Sequence, residues 1–383
     1  MTASLTVRPI VEAQDLPRVL SFDLPGRLAR AEPAVGWAPE HDASSGAPLG
    51  QIGGPQASAW PYDVATPPPV NVPALCVVGD TWWAPRLGAL IGVDGALYNA
   101  TVGEARHGSP DLSAVPGLSD NGTRFTPAAA APSLEGGAVF LPWGATFNYG
   151  HFVIDALSSL LALEQAGLLD ELPILAPKLA AWQRDLIAMA LPERVVTEID
   201  APLVRLRRGA FATSMDHFLH HPNGLLADLA TRVLARAPAG QRHRRVYLSR
   251  RGQSMRVMVG EAAFERALAA RGFAIVRPEK LSAGQQVALM RDAEVVVGAS
   301  GAALANAVFL SRGARVVEIQ PLNFTSQWVR AACRQVGVDW RGYVCASPCP
   351  PREAPLTARL RRGFKFAFKP PLDDLLSFVD AAL

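Results

Sequence analysis

Residues 294–303, Glu294-Val295-Val296-Val297-Gly298-Ala299-Ser300-Gly301-Ala302-Ala303, run from an uninterrupted apolar strand through a turn of small residues into an apolar helix. A strand without polar alternation is buried on both faces, as in a parallel sheet covered by helices. The same order recurs on either side. Strand Arg245 to Ser249 precedes a helix at Glu261 to Arg271. Strand Phe273 to Val276 precedes a helix opened by Ser282 with Gln285 three residues on, a capping-box spacing. Strand Glu294 to Gly298 leads to a helix from Ala302, and strand Arg315 to Ile319 to a helix from Thr325 to Val336. Four consecutive βα units predict one half of a doubly wound α/β fold.

Upstream, Ala237-Pro238-Ala239-Gly240 ends a helix expected from Gly224 to Arg236, and the basic run Arg242-His243-Arg244-Arg245 begins the second series, so the domain boundary is placed there. Before it, Val139 to Leu141 reads as strand, Tyr149 to Ala166 as helix, Pro173 to Ala176 as strand and Lys178 to Ala190 as helix, again in βαβα order. From Ala74 to Asn99, short apolar runs alternate with Gly-Asp and Asp-Gly pairs, the pattern of strands joined by tight turns. Residues 31–73, rich in Pro, Gly, Ala and Ser, read as irregular surface wrapping. The expected organisation is an irregular segment at 1–73, an α/β domain with small β elements at 74–236, a Rossmann-like domain at 241–345, and a tail at 346–383 packing back on the first domain.

A chain of 383 residues, 49% hydrophobic and 19% charged, can bury two cores. Its 37 Lys and Arg against 34 Asp and Glu leave a net charge of +3, too weak a field to expect nucleic acid as partner. Cys76, Cys333, Cys345 and Cys349 show neither zinc spacing nor a disulfide framework, which fits reduced thiols in the cytoplasm. No signal peptide and no uncharged apolar run of about 18 residues is seen, so no membrane span is expected. The tail, where Arg359, Arg361, Arg362, Lys365 and Lys369 surround Phe364, Phe366 and Phe368, reads either as a half-buried strand or as a peripheral contact with the inner face of a membrane.

Three stretches could carry chemistry. Asn148, His151 and Asp155 fall about one turn apart at the head of an otherwise apolar helix. That stripe reads as a general base, since neutral imidazole titrates near neutral pH and a carboxylate four residues on can hold one tautomer. It also reads as a capped helix start, with Asn148 as N-cap and Asp155 solvated. The turn at Ser300, Gly301 and Ala302 offers backbone N–H groups at a helix start to phosphate oxygens, or is simply small for packing. It is neither G-x-G-x-x-G nor a Walker loop, which disfavours a nicotinamide-dependent oxidoreductase. Arg250 and Arg251 follow the first strand of this half, on the rim where open α/β sheets bind ligands, and an arginine there can pair with two phosphate oxygens. Glu318, at the end of the fourth strand, reads as an acceptor for ribose hydroxyls or as an ion-pair partner. Pro278, Leu281 and Gln286 are placed to flank a nucleobase.

Taken in order, residues 148–155 (Asn-Tyr-Gly-His-Phe-Val-Ile-Asp), Tyr247-Leu248-Ser249-Arg250-Arg251, Gly272-Phe273 with residues 278–282 and Gln286, and Gly298 to Asn306 with Phe309 make the chain resemble glycosyltransferase family 61. Many bacterial members of that family carry a capsular-polysaccharide-biosynthesis label. The resemblance runs from about Leu75 to Gln320. It implies two facing Rossmann-like domains in the GT-B arrangement, inversion at the anomeric carbon, a nucleotide-diphosphate sugar as donor in the second domain, and a glycan or lipid-linked glycan acceptor at the first. One departure stands out: the family commonly shows His-Gly-Ala where this chain has Ser300-Gly301-Ala302. With no Asp-x-Asp pair to hold a divalent ion, neither metal nor other cofactor is expected. Arg250, Arg251 and the turn at 300–302 would neutralise the leaving diphosphate, and His151 or Asp155 would take the acceptor's proton. The alternative is a catalytically weakened sugar-nucleotide or glycan binding module.

Overall fold

The computed structural model describes residues 5–6, 8–11, 50–68, 74–93, 96–98, 115–119, 124–128, 130–139, 145–213, 225–240, 242–361 and 363–383. The chain divides into two compact units, Met1–Glu40 with Asn71–Leu225, and His41–Val70 with Leu226–Leu383. Among the described residues no helix is long and apolar enough to cross a membrane.

The first unit is built on a five-stranded sheet of β1 (Ala74–Val78), β2 (Gly137–Val139), β3 (Ile174–Pro177), β4 (Val196–Ile199) and β5 (Gly209–Thr213). Their order is β4-β3-β2-β5-β1, with only β1 antiparallel to its neighbour. Gly137 is what lets β2 and β3 close up, because a Cβ there would lie 2.2 Å from Cγ of Leu175. Between β2 and β3 runs a long helix, α1, composed of one α turn (Tyr149–His151), a π segment (Phe152–Ala156) and an α segment (Leu157–Gln165). Leu157, Leu160, Leu161 and Leu163 are all buried, each worth about 1.5–3 kcal/mol of burial. The helix is thus held as a core element. The predicted hairpin strands appear as Thr81–Ala84 and Ala89–Gly92, paired antiparallel, with Trp83 and Leu90 sealed into the core beside Leu175 and Phe211.

The second unit carries the series of βα units expected from the sequence. Its strands β6 (Arg245–Leu248), β7 (Ala274–Val276), β8 (Val295–Ala299), β9 (Arg315–Pro321) and β10 (Asp339–Cys345) lie in the order β7-β6-β8-β9-β10, all parallel. The order reverses between β6 and β8, so a crevice is expected at the carboxyl ends of those two strands. The helix expected from Ala302 is a 3₁₀ helix, Ala302–Phe309.

Four expectations change. Part of the segment expected as irregular wrapping is a structural component of this unit. Gln51–Gly53 adds a parallel strand beyond β10, Trp60 stacks on Trp340 at 5.6 Å, and buried Arg330 donates to the carbonyls of Asp63, Val64 and Thr66. The tail joins the second unit and not the first. Helix Leu372–Asp380 sets Leu375 and Val379 into one cluster with Tyr247, Phe264 and Val317, covering a sheet face that Glu261–Ala269 covers only in part. The boundary falls at Leu225, ahead of helix Leu225–Arg236 instead of after it. The Phe/Lys alternation of the tail is no strand either: Phe364–Phe366 is a 3₁₀ turn and Phe368 is fully buried.

Candidate active site

In the first unit, Asn148 is the N-cap of α1, its Oδ1 accepting from the backbone N–H of Gly150 at 2.9 Å and of His151 at 3.4 Å. This satisfies donors that a helix start otherwise leaves open. The cap is approached along residues 145–147, fastened by Gln183, whose Nε2 donates to the carbonyls of Ala145 and Thr146. The chain then widens into the π segment, in which Leu157 N–H reaches back to the Phe152 carbonyl. Such widening brings residues four apart closer to eclipsed than an α-helix does, and single π turns are frequent at functional sites. His151 Nδ1 and Asp155 Oδ2 lie 2.7 Å apart, and both residues are buried, at 6% and 7% exposure. A carboxylate accepting from Nδ1–H holds the imidazole in the tautomer whose Nε2 lone pair can take a proton. Asn148, His151 and Asp155 are therefore gathered at one helix head, and the cap and the dyad are present together.

In the second unit, the carboxyl ends of β6 and β8 carry the Arg250 and Gly301 turns. A Cβ on Gly301 would sit 2.1 Å from Nη1 of Arg250 and 3.4 Å from Nη2 of Arg256, so the absent side chain is what lets two guanidinium groups converge on this turn. Arg250 is tied by its N–H to Glu261 Oε1 at 2.7 Å and by Nη2 to the Met255 carbonyl at 3.0 Å, while its Nε is buried without a hydrogen-bond partner among the described residues. Arg256 donates from Nε to the Ser300 carbonyl at 3.0 Å and lies over the Phe324 ring at 4.5 Å. Its φ of 51° is the only positive value of a non-glycine among the described residues, a local strain retained only where surrounding contacts over-determine it. Burial, and then the charge of Arg250, push its pKa down to about 10. Burial likewise lowers that of Arg250. Two like charges held close together and half out of water favour an anion between them.

Ser300 has a different part from the one expected. It is buried, its N–H is used by the Ile319 carbonyl at 2.8 Å, and its own carbonyl anchors Arg256. Gly301 and Ala302 stand at the start of the 3₁₀ helix, where N–H groups have no partner within the helix. Glu318 departs further. It is fully buried at the centre of the sheet, accepts from Trp340 Nε1 at 2.9 Å, and has no surface on which a ribose could rest. Burial pushes its pKa up to about 7, against the pull of Gln320, Trp340, Ser300 and the charge of Arg256. Arg251 turns the other way from Arg250, its Nη1 3.2 Å from Glu265, which also accepts from Ser249 Oγ at 2.6 Å.

Arg251 lines a cavity of about 930 Å³ at the carboxyl end of edge strand β7, together with Ile275, Arg277, Lys280, Leu281 and Leu289. Of the three residues expected to flank a base, Leu281 lines this cavity. Pro278 is buried, and Gln286 spends its amide on the Pro278 carbonyl at 3.1 Å and on Asn306 at 2.9 Å. The residue that sequence reasoning missed is Arg256. No short motif marks it, and its only sequence cue is its place in the loop that follows β6.

Residues 149–317 match the family model described as Glycosyltransferase 61, a span that takes in His151, Asp155, Arg250, Arg256 and Gly301 and leaves out Asn148 and Glu318. No curated protein matches the chain.

Proposed function

We propose, from the match of residues 149–317 to glycosyltransferase family 61, that the chain is a glycosyltransferase that inverts the anomeric centre of a nucleotide-diphosphate sugar without a metal ion. The observation that carries this reading is the convergence of Arg250 and Arg256 on Gly301. Preorganised positive charge there stabilises the diphosphate as the glycosidic C–O bond breaks and charge develops on the leaving oxygen. The basic cavity beside Arg251 takes the nucleoside, its volume lying within the usual range of ligand pockets. An acceptor hydroxyl attacks the anomeric carbon from the opposite face and gives its proton to Nε2 of His151. Asp155 holds the ring through Oδ2, which lies against Nδ1. Completing the reaction requires the two units to act on one donor and acceptor, as in a GT-B enzyme. The acceptor follows from the family resemblance: a capsular or cell-surface glycan, free or lipid-linked.

Two variants test the assignment. His151→Ala should lower transfer by about 10²- to 10⁴-fold, the usual contribution of a general base, with donor affinity unchanged by titration calorimetry. Arg250→Ala should weaken donor and nucleoside-diphosphate binding by about tenfold or more, since it removes a charge-assisted pair to phosphate. Intact donor affinity in the arginine variant would move the phosphate seat elsewhere, and transfer that stops on addition of EDTA would contradict the metal-independent reading. A second reading, a binding module with little or no catalysis, is favoured by the burial of Ser300 where the family commonly has a histidine. Slow release of free sugar from the donor in water marks the enzyme; its absence together with retained binding marks the module.

A further inference from the structure

We propose that the surface built on residues 356–361, residues 363–365 and the adjoining 252–256 loop seats the protein on an anionic lipid bilayer. The short helix Leu356–Arg359, capped by Leu360, is turned the reverse of the usual way. Its small residue, Ala358, faces inward with Cys349, Ala354 and Ala367, while Leu356 and Leu360 stand outward at 59% and 76% exposure. Positions 356 and 360 lie on one helix face, with Arg359 on the same side. The 252–256 loop is joined to it: Arg361 donates to the Gln253 carbonyl, and Met255, itself 37% exposed, packs over Gly363. Single exposed apolar residues are ordinary, but two leucines and a methionine grouped on two linked loops are not.

Charge decides the occupant. Residues 346–369 hold Arg352, Arg359, Arg361, Arg362, Lys365 and Lys369 against Glu353 alone, in a chain whose net charge is only +3, so the remainder is net negative. Glu353 is already paired with Lys369 at 3.6 Å. Outward leucines rimmed by exposed Arg352, Arg359 and Lys365 suit a surface that is apolar within and anionic at its boundary, which is an acidic leaflet. This inference does not rest on the catalytic reading.

Co-sedimentation of the full chain with phosphatidylcholine vesicles, with and without phosphatidylglycerol, tests it. Binding should be about tenfold stronger to the anionic vesicles and fall with added salt. Leu356→Ser with Leu360→Ser, both at exposed positions and checked by an unchanged melting curve, should lose about tenfold of that binding, and Arg359→Glu should lose it without any apolar change. Equal binding to both vesicle types, or undiminished binding of the leucine variant, would overturn the proposal. So would a dimer in solution that the leucine variant converts to monomer, since the patch would then belong to a second copy of the chain.

Discussion

Glu318 shows what a single buried carboxylate costs. Its ordinary value of 4.5 is pushed up to about 7 by burial at the centre of the sheet. Between those values the folded chain keeps a proton that the unfolded chain has released. The associated stability is therefore fully present below the unfolded value and is lost as pH rises through about 7. A shift of this size corresponds to about 3 kcal/mol at most. Glu318→Gln keeps an oxygen for Trp340 Nε1 and removes the titration, so urea midpoints of the variant should stay flat from about pH 5 to pH 8 while those of the parent fall. Parallel slopes for the two would mean that another group carries the effect. The same residue illustrates a limit of reading rims from strand ends: Glu318 pairs with Gly298, just before the small-residue turn, yet its side chain is fully buried against Trp340.

At the scale of elements, β2 and β3, the two strands on either side of α1 in the chain, approach closely at Gly137. Leu175 is 1% exposed and has no vacant space to turn into. A methyl at position 137 would meet its Cγ at 2.2 Å, so Gly137→Ala should cost about 1–3 kcal/mol as overpacking, read from urea denaturation. A neutral result would show that β2 can shift without loss. The π segment adds a second constraint, because it brings Asp155 under His151. The helix was legible from its apolar run, whereas the widened turn was not: no residue type requires it, and it follows from how the ends of α1 are held by Asn148 and by its buried leucines. In the second unit the capping box at Ser282 and Gln285 formed as the spacing predicted, with the reciprocal bonds at 2.9 and 3.2 Å.

Across the chain, residues 50–68 are joined to the second unit by a strand pairing, by Trp60 on Trp340 and by one buried cation. Arg330 is 1% exposed, and its guanidinium donates to three carbonyls and lies 5.9 Å from the Trp60 ring. Arg330→Ala should leave those carbonyls without donors, lowering stability by about 2–5 kcal/mol and exposing residues 50–68 to limited proteolysis. Unchanged cleavage would assign the attachment to Trp60 and Trp340 instead. The tail is bound in the same non-local way, with Arg271 pairing Asp380 at 2.9 Å and leucines of the last helix closing the sheet face.

Local pattern made the βα series from 245 to 336, the small-residue turn at 298–303 and the His151/Asp155 stripe legible, because periodicity and capping act between residues a few positions apart. Arg256 beside Arg250, Glu318 under Trp340, and the attachment of residues 50–68 and 346–383 to the second unit were beyond such reading. Each depends on side chains meeting in three dimensions, Arg256 with Ser300 and Phe324 for example, where burial and neighbouring charge, and not residue type, decide what a group does.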